Sequence, residues 1–433
     1  MTKPVALVVA MDPGNGIGKD GGIPWRLSKD LQYFKKVTTA AQPGMQNAVI
    51  MGRKTWESLP VKFRPLAARL NVVVSSTTSD FGEGVEVAKS VTEAVEKMQE
   101  REGIENVFVI GGNRAYAEAL TLPSCSHLYI TRVAKAHECD TFFPKVDPAV
   151  WQAVAISPTQ STGDIPFDYV KYARAQETGV EMESRGHEEY QYIQLAHQVL
   201  KNAGSPLVVG AQHRYNLRQS FPLSTTQPQD FSAIAARVLQ LISGGQSAAV
   251  NEAPEAQANG PPEAFHLRHY GARYAGPGVD YTGQGVDQLG EVITAIRDNP
   301  SDRRIIFSLW NPAELQSVPD APSSVFCQFN VNQQENSLSC FLYQRECDLA
   351  DGVAQSVATY ALLTCLIAKV CGRVPGELIH EIGAPFVGRE SLEQALSSVP
   401  QPYPVLKILG DRQGIRDFQL GDFQLVGYNV YRQ

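Results

Sequence analysis

Two residues one helical turn apart could do chemistry near the start of the chain. Asp30 and Phe34 follow a glycine-rich stretch, residues 16–22, within a short amphipathic pattern. Their i, i+4 spacing places both side chains on one face of a helix. A carboxylate beside an aromatic wall, under a mobile glycine loop, could hold a flat, nitrogen-rich ring. The alternative is an aspartate stabilised by the dipole of a surface helix, with Phe34 in the core. Taken alone, the stretch favours this alternative.

A second set of candidate residues lies where apolar strands end in glycine. Strand 47–51 runs into Gly-Arg-Lys-Thr at residues 52–55, and strand 107–110 is followed by Gly111 and Gly112. Free N–H groups at a helix start bind anions, and glycine lets a ligand approach the backbone closely. Each signal alone is weak, because many strand-to-helix turns hold glycine and lysine for solubility.

The elements that would position these residues alternate between strands and helices. Helical patterns such as residues 91–99 separate runs that are typical of buried strands. These apolar runs are residues 5–10, 47–51, 70–76, 107–110 and 128–133. The alternation predicts an α/β domain with a mostly parallel, twisted sheet, flanking helices and ligands at the carboxyl ends of the strands.

Composition and charge narrow the class of protein. The 433 residues predict roughly two to four domains, and 43% hydrophobic content is typical of a globular protein. The net charge of -7 argues against nucleic-acid or membrane partners, and no apolar run approaches the roughly 20 residues that span a bilayer. Seven scattered cysteines predict neither a disulfide framework nor a metal site. The expected compartment is the cytoplasm, with mitochondria as an alternative.

The order of motifs in residues 4–173 resembles the dihydrofolate reductase family. The motifs are Gly-Ile-Gly, Ile-Pro-Trp, Asp and Phe within 16–34, Met-Gly-Arg-Lys-Thr-Trp at 51–56, Arg-Pro-Leu and Arg within 64–69, Ile-Gly-Gly at 110–112, and Thr-Arg and Asp-Thr-Phe-Phe-Pro within 131–144. The resemblance implies NADPH-dependent reduction of dihydrofolate, in which hydride reaches C6 of the pterin while N5 is protonated. It also implies antifolates as ligands.

The resemblance implies roles for the residues of a pterin pocket. Asp30 would hold the pterin and raise the proton affinity of N5, with Thr131 hydrogen-bonded to it, and Phe34 would stack on the ring. Arg69 would pair with the substrate carboxylate, a task suited to a guanidinium fork, and loop 15–23 would exclude water. The other implied positions are Trp25, of catalytic importance, and Val8, Val9, Ile23 and Ile110, which line the substrate pocket.

The resemblance also implies NADPH as the cofactor. The turns at 52–55 and 111–115 would cradle its phosphates. Ser75 and Ser76 stand where the family usually has Ser-Arg for the 2′-phosphate, although Lys89 and the arginine of the first turn could supply charge. The preference for NADPH over NADH is therefore less secure. The implied cofactor residues are Ala10, Ile17, Gly18, Gly52, Arg53, Lys54, Thr55, Ser75, Ser76, Lys89, Gly111, Gly112, Asn113, Arg114, Ala115 and Tyr116.

A polar stretch divides the chain. Residues 174–187 hold few large apolar side chains and predict a short linker, which makes 1–173 the first domain and 188–433 the second. Within the second domain, residues 244–262 are also poor in large apolar side chains and predict a flexible segment.

The motifs of residues 188–433 resemble the thymidylate synthase family, which implies an α+β fold and a homodimer formed through this domain. They include Arg-His-Tyr-Gly-Ala-Arg-Tyr at 268–274, Tyr-Thr-Gly-Gln-Gly-Val-Asp-Gln-Leu at 281–289, Asp-Arg-Arg-Ile-Ile at 302–306, Leu-Trp-Asn-Pro at 309–312 and Tyr-Gln-Arg at 343–345. The fusion resembles the bifunctional dihydrofolate reductase–thymidylate synthases of protozoa and plants.

Several positions that carry the synthase chemistry differ here. Ser323 stands where the family has its nucleophilic cysteine, and a hydroxyl without a visible base is far less nucleophilic. Glu346 replaces a serine that contacts phosphate, so its carboxylate would repel that anion. Ser356 replaces the asparagine that contacts uracil.

Four synthase positions are retained, namely Arg303, Arg304, Arg345 and Asp348. We expect Arg303 and Arg304 to pair with acidic residues at a dimer interface, with an ancestral phosphate surface as the alternative. The preferred hypothesis is an active reductase fused to an inactive synthase-like domain that dimerises or docks another protein. The alternatives are a non-enzymatic folate- or nucleotide-binding scaffold and, less favoured, altered synthase chemistry through Ser323.

Overall fold

Apolar runs in the first part of the chain form one mixed sheet. The computed structural model describes residues 3–77, 80–175, 184–201, 210–244, 263–276, 279–315, 321–387 and 392–429. The chain divides into two units, Met1–His187 and Glu188–Gln433. The first unit contains β1 (Val5–Met11), β2 (Gly16–Gly18), α1 (Ser28–Thr39), β3 (Gln46–Gly52), α2 (Arg53–Ser58), β4 (Arg69–Val74), β5 (Val85–Ala88), α3 (Val91–Glu100), β6 (Ile104–Val109), α4 (Asn113–Thr121), β7 (Cys125–Val133), β8 (Thr141–Phe142), β9 (Trp151–Ile156), β10 (Gln160–Thr162), β11 (Ile165–Arg174) and β12 (Ser184–Arg185).

The sheet of the first unit is parallel at its centre and antiparallel towards one edge. Its order is β12-β9-β11-β7-β1-β6-β3-β4-β5, with β10 beside β11. The six strands from β7 to β5 in this order are mutually parallel, whereas β11 runs antiparallel to both β7 and β9. The carboxyl ends of the parallel strands therefore meet at one edge, which confirms the α/β class expected for the first domain.

Helices cover both faces of this sheet. The central strand β1 shows why, because its side chains are apolar on both faces and each face must be buried. Alternate residues of a strand point to opposite faces. Val5, Leu7 and Val9 pack in the core beneath α3 and α4. Val8 packs on the other face, in a core that includes Trp56 of α2 and Phe34 of α1.

The second unit is built on a smaller, mostly antiparallel sheet. Its elements are α5 (Glu189–Lys201), β13 (Ala211–Asn216), α6 (Phe231–Ser243), α7 (Glu263–His269), α8 (Gln288–Asp298), β14 (Ile306–Ser308), β15 (Ser324–Asn332), β16 (Ser337–Asp348), α9 (Gly352–Val370), β17 (Val374–Phe386), α10 (Glu393–Ser397), β18 (Val405–Ile408) and β19 (Phe423–Val426). The order is β13-β17-β16-β15-β14, and only β16 and β17 pair in parallel. This arrangement confirms the expected α+β class.

Helix α9 is the core helix of the second unit. It packs on β16 and β17 and buries 14 side chains. Among the described residues it is the one helix long and apolar enough to cross a membrane, but 78% of that apolar window is buried inside the unit. Burial in the core accounts for its apolar composition.

The segment predicted as a linker contains a strand of the first unit. Residues 176–183 lie outside the described residues, but β12 pairs with β9, and Gly186 N donates to Ile156 O at 2.8 Å. The predicted flexible segment lies, apart from Gly244, outside the described residues.

Candidate functional site

A hydrogen bond between a helix and the central sheet marks the candidate site. Asp30 lies in the first turn of α1, and Thr131 lies on β7, beside Ala10 of β1. Thr131 Oγ1 donates to Asp30 Oδ1 at 2.6 Å. Burial raises the pKa of Asp30, and the Thr131 hydroxyl opposes that shift. The carboxyl group therefore holds a proton more readily than an exposed aspartate.

Three predicted substrate residues form one apolar wall. Val8, Phe34 and Ile110 belong to the same cluster between the sheet and α1. The Arg69 guanidinium lies 5.7 Å from the centre of the Phe34 ring. It is held by bonds from Nη1 to Thr38 Oγ1 at 2.7 Å and from Nε to the Ala67 carbonyl at 3.0 Å. Partial burial lowers the pKa of Arg69. The result is an apolar pocket with one fixed cation at its rim.

The other three residues predicted for the pocket, Trp25, Val9 and Ile23, differ in burial and in the side of the sheet that they face. Trp25 is 8% exposed and packs with Ala10 and Phe167. Its buried Nε1 has no hydrogen-bond partner among the residues that the structure describes, so this donor is available to a ligand. The Val9 side chain points to the opposite face of the sheet, so only its backbone can line this pocket. Ile23 is 59% exposed and is not a member of the cluster that forms the wall.

The two predicted phosphate turns meet at their glycines. Gly52 N donates to Gly111 O at 2.7 Å, and the peptide bond between Gly111 and Gly112 is cis. Gly111 has φ +132°, and a Cβ at either Gly111 or Gly112 would lie 3.2 Å from Thr55 Oγ1. Helix α4 begins after Gly112 without a side-chain cap. Its first backbone N–H groups can therefore bind an anion such as a cofactor phosphate.

Other predicted cofactor residues lie around these turns. Tyr116, next to the buried Ala115, donates its hydroxyl to Val8 O at 2.8 Å, and Asn113 Nδ2 donates to Phe142 O at 2.5 Å. Arg53 is paired with Glu57 at 2.7 Å, which reduces the charge that it offers to a ligand. Lys54 and Arg114 are exposed, Ile17 packs at the edge of the core, and Gly18 ends β2.

The residues predicted to bind the 2′-phosphate directly follow the ends of two neighbouring strands. The last pair of β4 and β5 is Val74 with Ala88, so Ser75, Ser76 and Lys89 follow side by side. Ser75 is buried, whereas Ser76 and Lys89 are exposed. A basic side chain and a hydroxyl therefore lie at the same corner of the sheet.

The sequence reasoning missed the residue that ties down the glycine loop. Asp12 is 4% exposed, and its carboxylate accepts from the backbone N–H groups of Gly14 at 2.9 Å, Gly16 at 2.8 Å and His137 at 2.8 Å. β2 also pairs with β8. The Asp-Pro-Gly sequence at residues 12–14 was a turn signal that could have indicated this role.

An aromatic pair beside the carboxyl group was also missed. The rings of Tyr33 and Tyr169 stack with their centroids 3.9 Å apart and their planes at 22°. Between β7 and β11, Arg132 forms a buried bidentate ion pair with Asp168, from Nε to Oδ1 at 2.9 Å and from Nη2 to Oδ2 at 2.5 Å. No spacing pattern pointed to either pair, because the first depends on how α1 packs beside β11 and the second on how β11 aligns with β7.

In the second unit, two of the substituted synthase positions, Ser323 and Glu346, lie on either side of Arg345. Arg345 N donates to Ser323 O at 2.7 Å. The Arg345 guanidinium forms an ion pair with Glu346. Asp348 Oδ1 accepts from Ala350 N at 2.9 Å, and Ser356 is half-buried in the first turns of α9.

The retained arginines at the start of β14 are exposed. Arg304 pairs with Asp302 of its own chain at 2.8 Å, and its side chain is 88% exposed. The acid that pairs with Arg304 in this structure is therefore a neighbour in the same chain. The sequence had led us to expect an acidic partner at a dimer interface. Arg303 is exposed, and its carbonyl accepts from Gln328.

Comparisons with known proteins cover almost the whole chain. The dihydrofolate reductase family model matches residues 4–174, and the thymidylate synthase family model matches residues 191–433. The chain is 36% identical to the bifunctional dihydrofolate reductase-thymidylate synthase of Glycine max, over 99% of this chain and 93% of the relative. The enzyme of that name from Leishmania major is 34% identical, over 98% and 92%. These comparisons do not show that the second unit is inactive. The chain belongs to the family of bifunctional dihydrofolate reductase–thymidylate synthases.

Proposed function

We propose that the first unit reduces dihydrofolate with NADPH. The observation that carries this proposal is the half-buried Asp30 carboxyl group, hydrogen-bonded to Thr131 at 2.6 Å beside the wall that contains Phe34. This unit supplies a proton-holding group, an apolar wall and a cation at the rim. Those are the features needed by a flat, nitrogen-rich ring with a carboxylate tail. The family match and the names of the relatives support the same activity.

The chain's own residues position the reactants and control the proton. NADPH, when bound at the Gly52 and Gly111 turns, would supply the hydride. Asp30 increases the proton affinity at the pterin N5, and Arg69 holds the carboxylate tail. The Gly52 and Gly111 turns would hold the cofactor phosphates, while the loop tied by Asp12 excludes water. Catalysis by this unit is therefore mainly orientation and electrostatics.

The test of the reductase is dihydrofolate-dependent oxidation of NADPH by the full chain. Asp30→Asn removes the titrating group while keeping the shape of the side chain. We expect it to reduce kcat by about 100-fold or more, as for the loss of a general acid, with little change in melting temperature. If the wild-type protein neither oxidises NADPH nor shows a thermal shift with methotrexate, the non-enzymatic alternative is favoured.

For the second unit we propose that thymidylate synthase activity is absent. Ser323 provides a hydroxyl where the family uses a thiolate, and the neighbouring Arg345 is neutralised by Glu346. An arginine already paired with a carboxylate is a poor site for a nucleotide phosphate. The names of the relatives favour the opposite outcome, since they are bifunctional enzymes.

Tritium release from dUMP labelled at C5, in the presence of methylenetetrahydrofolate, decides between these outcomes. We expect no release above background from the wild-type chain. Folate-dependent release would show an active synthase. Loss of that release in Ser323→Ala would then assign the chemistry to this serine.

We also propose that the second unit forms a homodimer through the outer face of its sheet. Phe326 of β15 and Phe341 and Tyr343 of β16 are half-buried, and the Phe326 ring lies 6.1 Å from Phe341 and 5.7 Å from Tyr343. A second copy would cover this aromatic row. Light scattering should give twice the chain mass, and Phe341→Glu should give the monomer. A monomeric wild-type chain would favour docking of another protein.

A further inference from the structure

Four residues around the acid of the reductase are connected by a hydrogen bond, a strand pairing, a ring stack and a shared helix face. Thr131 donates to Asp30. Thr131 is the cross-strand partner of Tyr169, and the Tyr169 ring stacks on Tyr33 at 3.9 Å. Tyr33 lies three residues after Asp30 on α1, so the two side chains are neighbours on that helix. The stack thus joins α1 to the strand that holds the hydroxyl partner of the acid.

The phenols lie close enough to Asp30 to feel its charge. The Asp30 carboxylate contributes to raised pKa values at Tyr33 on α1, Tyr116 on α4 and Tyr169 on β11, although burial is the larger cause at each. The pKa of Tyr169 is raised to about 12, so this phenol stays neutral at physiological pH. Burial and the Thr131 hydroxyl are the two influences on the pKa of Asp30 itself.

Tyr169 also connects the acid to the second candidate donor of the pocket. It packs in the cluster that contains Trp25, Ala10 and Phe167, and its ring meets Phe167 edge-on with centroids 5.8 Å apart. One aromatic side chain therefore contacts the surroundings of both polar groups at the pterin end of the pocket.

We propose that the stacked pair Tyr33–Tyr169 is a positioning device that keeps water away from the Asp30 carboxyl group and sets the pH range in which the reductase works. This inference rests on the proposed reductase function. The pair acts through Asp30 and does not itself touch the reacting atoms. Its two rings come from different elements, α1 and β11, and we expect the loss of either one to admit water to the Asp30 carboxyl group.

The direction of the effect follows from desolvation. A carboxyl group in a dry site holds its proton to higher pH, and water returns its pKa towards the ordinary value. Since the reaction consumes a proton, the rate falls as pH rises through the pKa that governs it. A wetter Asp30 therefore moves this fall to lower pH.

The experiment measures the pH profile of single-turnover hydride transfer in the full chain. We expect Tyr169→Ala and Tyr33→Ala to shift the midpoint down by about one pH unit, which is about a tenfold loss of rate well above the midpoint. Tyr169→Phe keeps the ring and should retain the wild-type midpoint. Tyr172→Leu is the matched control, because Tyr172 lies on the same strand and packs against the core of the opposite face.

The outcomes separate this inference from the function on which it rests. If Asp30→Asn is inactive but both alanine variants keep the wild-type midpoint, the aromatic pair has only a structural role and the inference is wrong. An equal shift in Tyr172→Leu would also overturn it, because the effect would then be general loosening. If Asp30→Asn retains full activity, the proposed role of the acid fails and the inference fails with it.

Discussion

At the scale of single residues, the Thr131 hydroxyl is the contact that limits the rise in the pKa of Asp30. It is the one influence that lowers the pKa of this carboxyl group, against burial, which raises it. Thr131→Ala should therefore raise the pKa further and move the falling limb of the pH–rate profile to higher pH. The charge-assisted bond is worth about 2 kcal/mol, so the midpoint should rise by about one pH unit, which is up to a roughly tenfold gain of kcat/KM well above the wild-type midpoint. Thr131→Ser is the control that keeps the hydroxyl. An unchanged profile in Thr131→Ala would show that the bond does not act on the acid.

Arg69 offers a second test at this scale, because its guanidinium is fixed before any ligand binds. Two of its nitrogens are held by Thr38 and the Ala67 carbonyl. Lysine cannot reproduce this fork. Arg69→Lys should raise the KM for dihydrofolate about tenfold and leave kcat nearly unchanged, the pattern of lost uniform binding. A fall in kcat with an unchanged KM would place Arg69 in the chemical step instead.

At this scale the sequence predicts individual residues better than their contacts. The resemblance identified Asp30, Thr131, Phe34 and Arg69 from their motifs, and the structure brings them to one pocket. It could not identify Tyr169, because a tyrosine in an apolar strand has no local signature. Its role arises only when the register pairs it with Thr131.

At the scale of elements, the loop tied by Asp12 is the part whose behaviour the structure predicts most directly. One buried carboxylate satisfies three backbone N–H groups, on Gly14, Gly16 and His137. Asp12→Ala would leave these donors without their acceptor, at a cost of roughly 2–4 kcal/mol. We expect a lower melting temperature and a lower rate of hydride transfer, because the loop would no longer close. Asp12→Asn keeps one acceptor oxygen, so its melting temperature and rate should lie between those of the wild type and Asp12→Ala. A wild-type rate in Asp12→Ala would show that loop closure does not need this anchor.

The central elements were predictable because their signals are local. Buried parallel strands appear as continuous apolar runs, and the predicted runs in the first unit correspond to β1, β3, β4, β6 and β7. β12 was missed because a two-residue edge strand depends on its pairing with β9 and has little propensity of its own.

At the scale of the whole molecule, the family and both fold classes could be predicted, since each motif order spans a complete domain. The activity of the second unit could not. We expect it to depend on a few side chains, Ser323 and Glu346 among them, and the motifs that predict the fold do not determine their effect. The fold alone does not establish the activity, because packing and catalysis use different residues.

The second unit also predicts how stability changes with pH. His213 of β13 and His380 of β17 are cross-strand partners, 3% and 0% exposed. Burial lowers the pKa of His213 to about 4 and of His380 to about 3. His380 Nε2 lies 2.7 Å from Gln344 Oε1, so the ring carries its proton on Nε2 and donates it to this oxygen. Both histidines are therefore neutral in the folded protein over most of the acidic range.

The sign of the effect follows because the unfolded chain takes up these protons first. Histidines in the unfolded chain have an ordinary pKa of about 6.5, so below that pH they bind protons that His213 and His380 do not bind in the folded unit. The free energy of unfolding therefore falls by a few kcal/mol as the pH approaches about 4. Thermal unfolding of the second unit, followed from about pH 7 to pH 4, should show a falling transition temperature. His213→Gln, which removes one titrating ring, should flatten this slope, whereas an equally steep slope in that variant would assign the acid sensitivity to other groups.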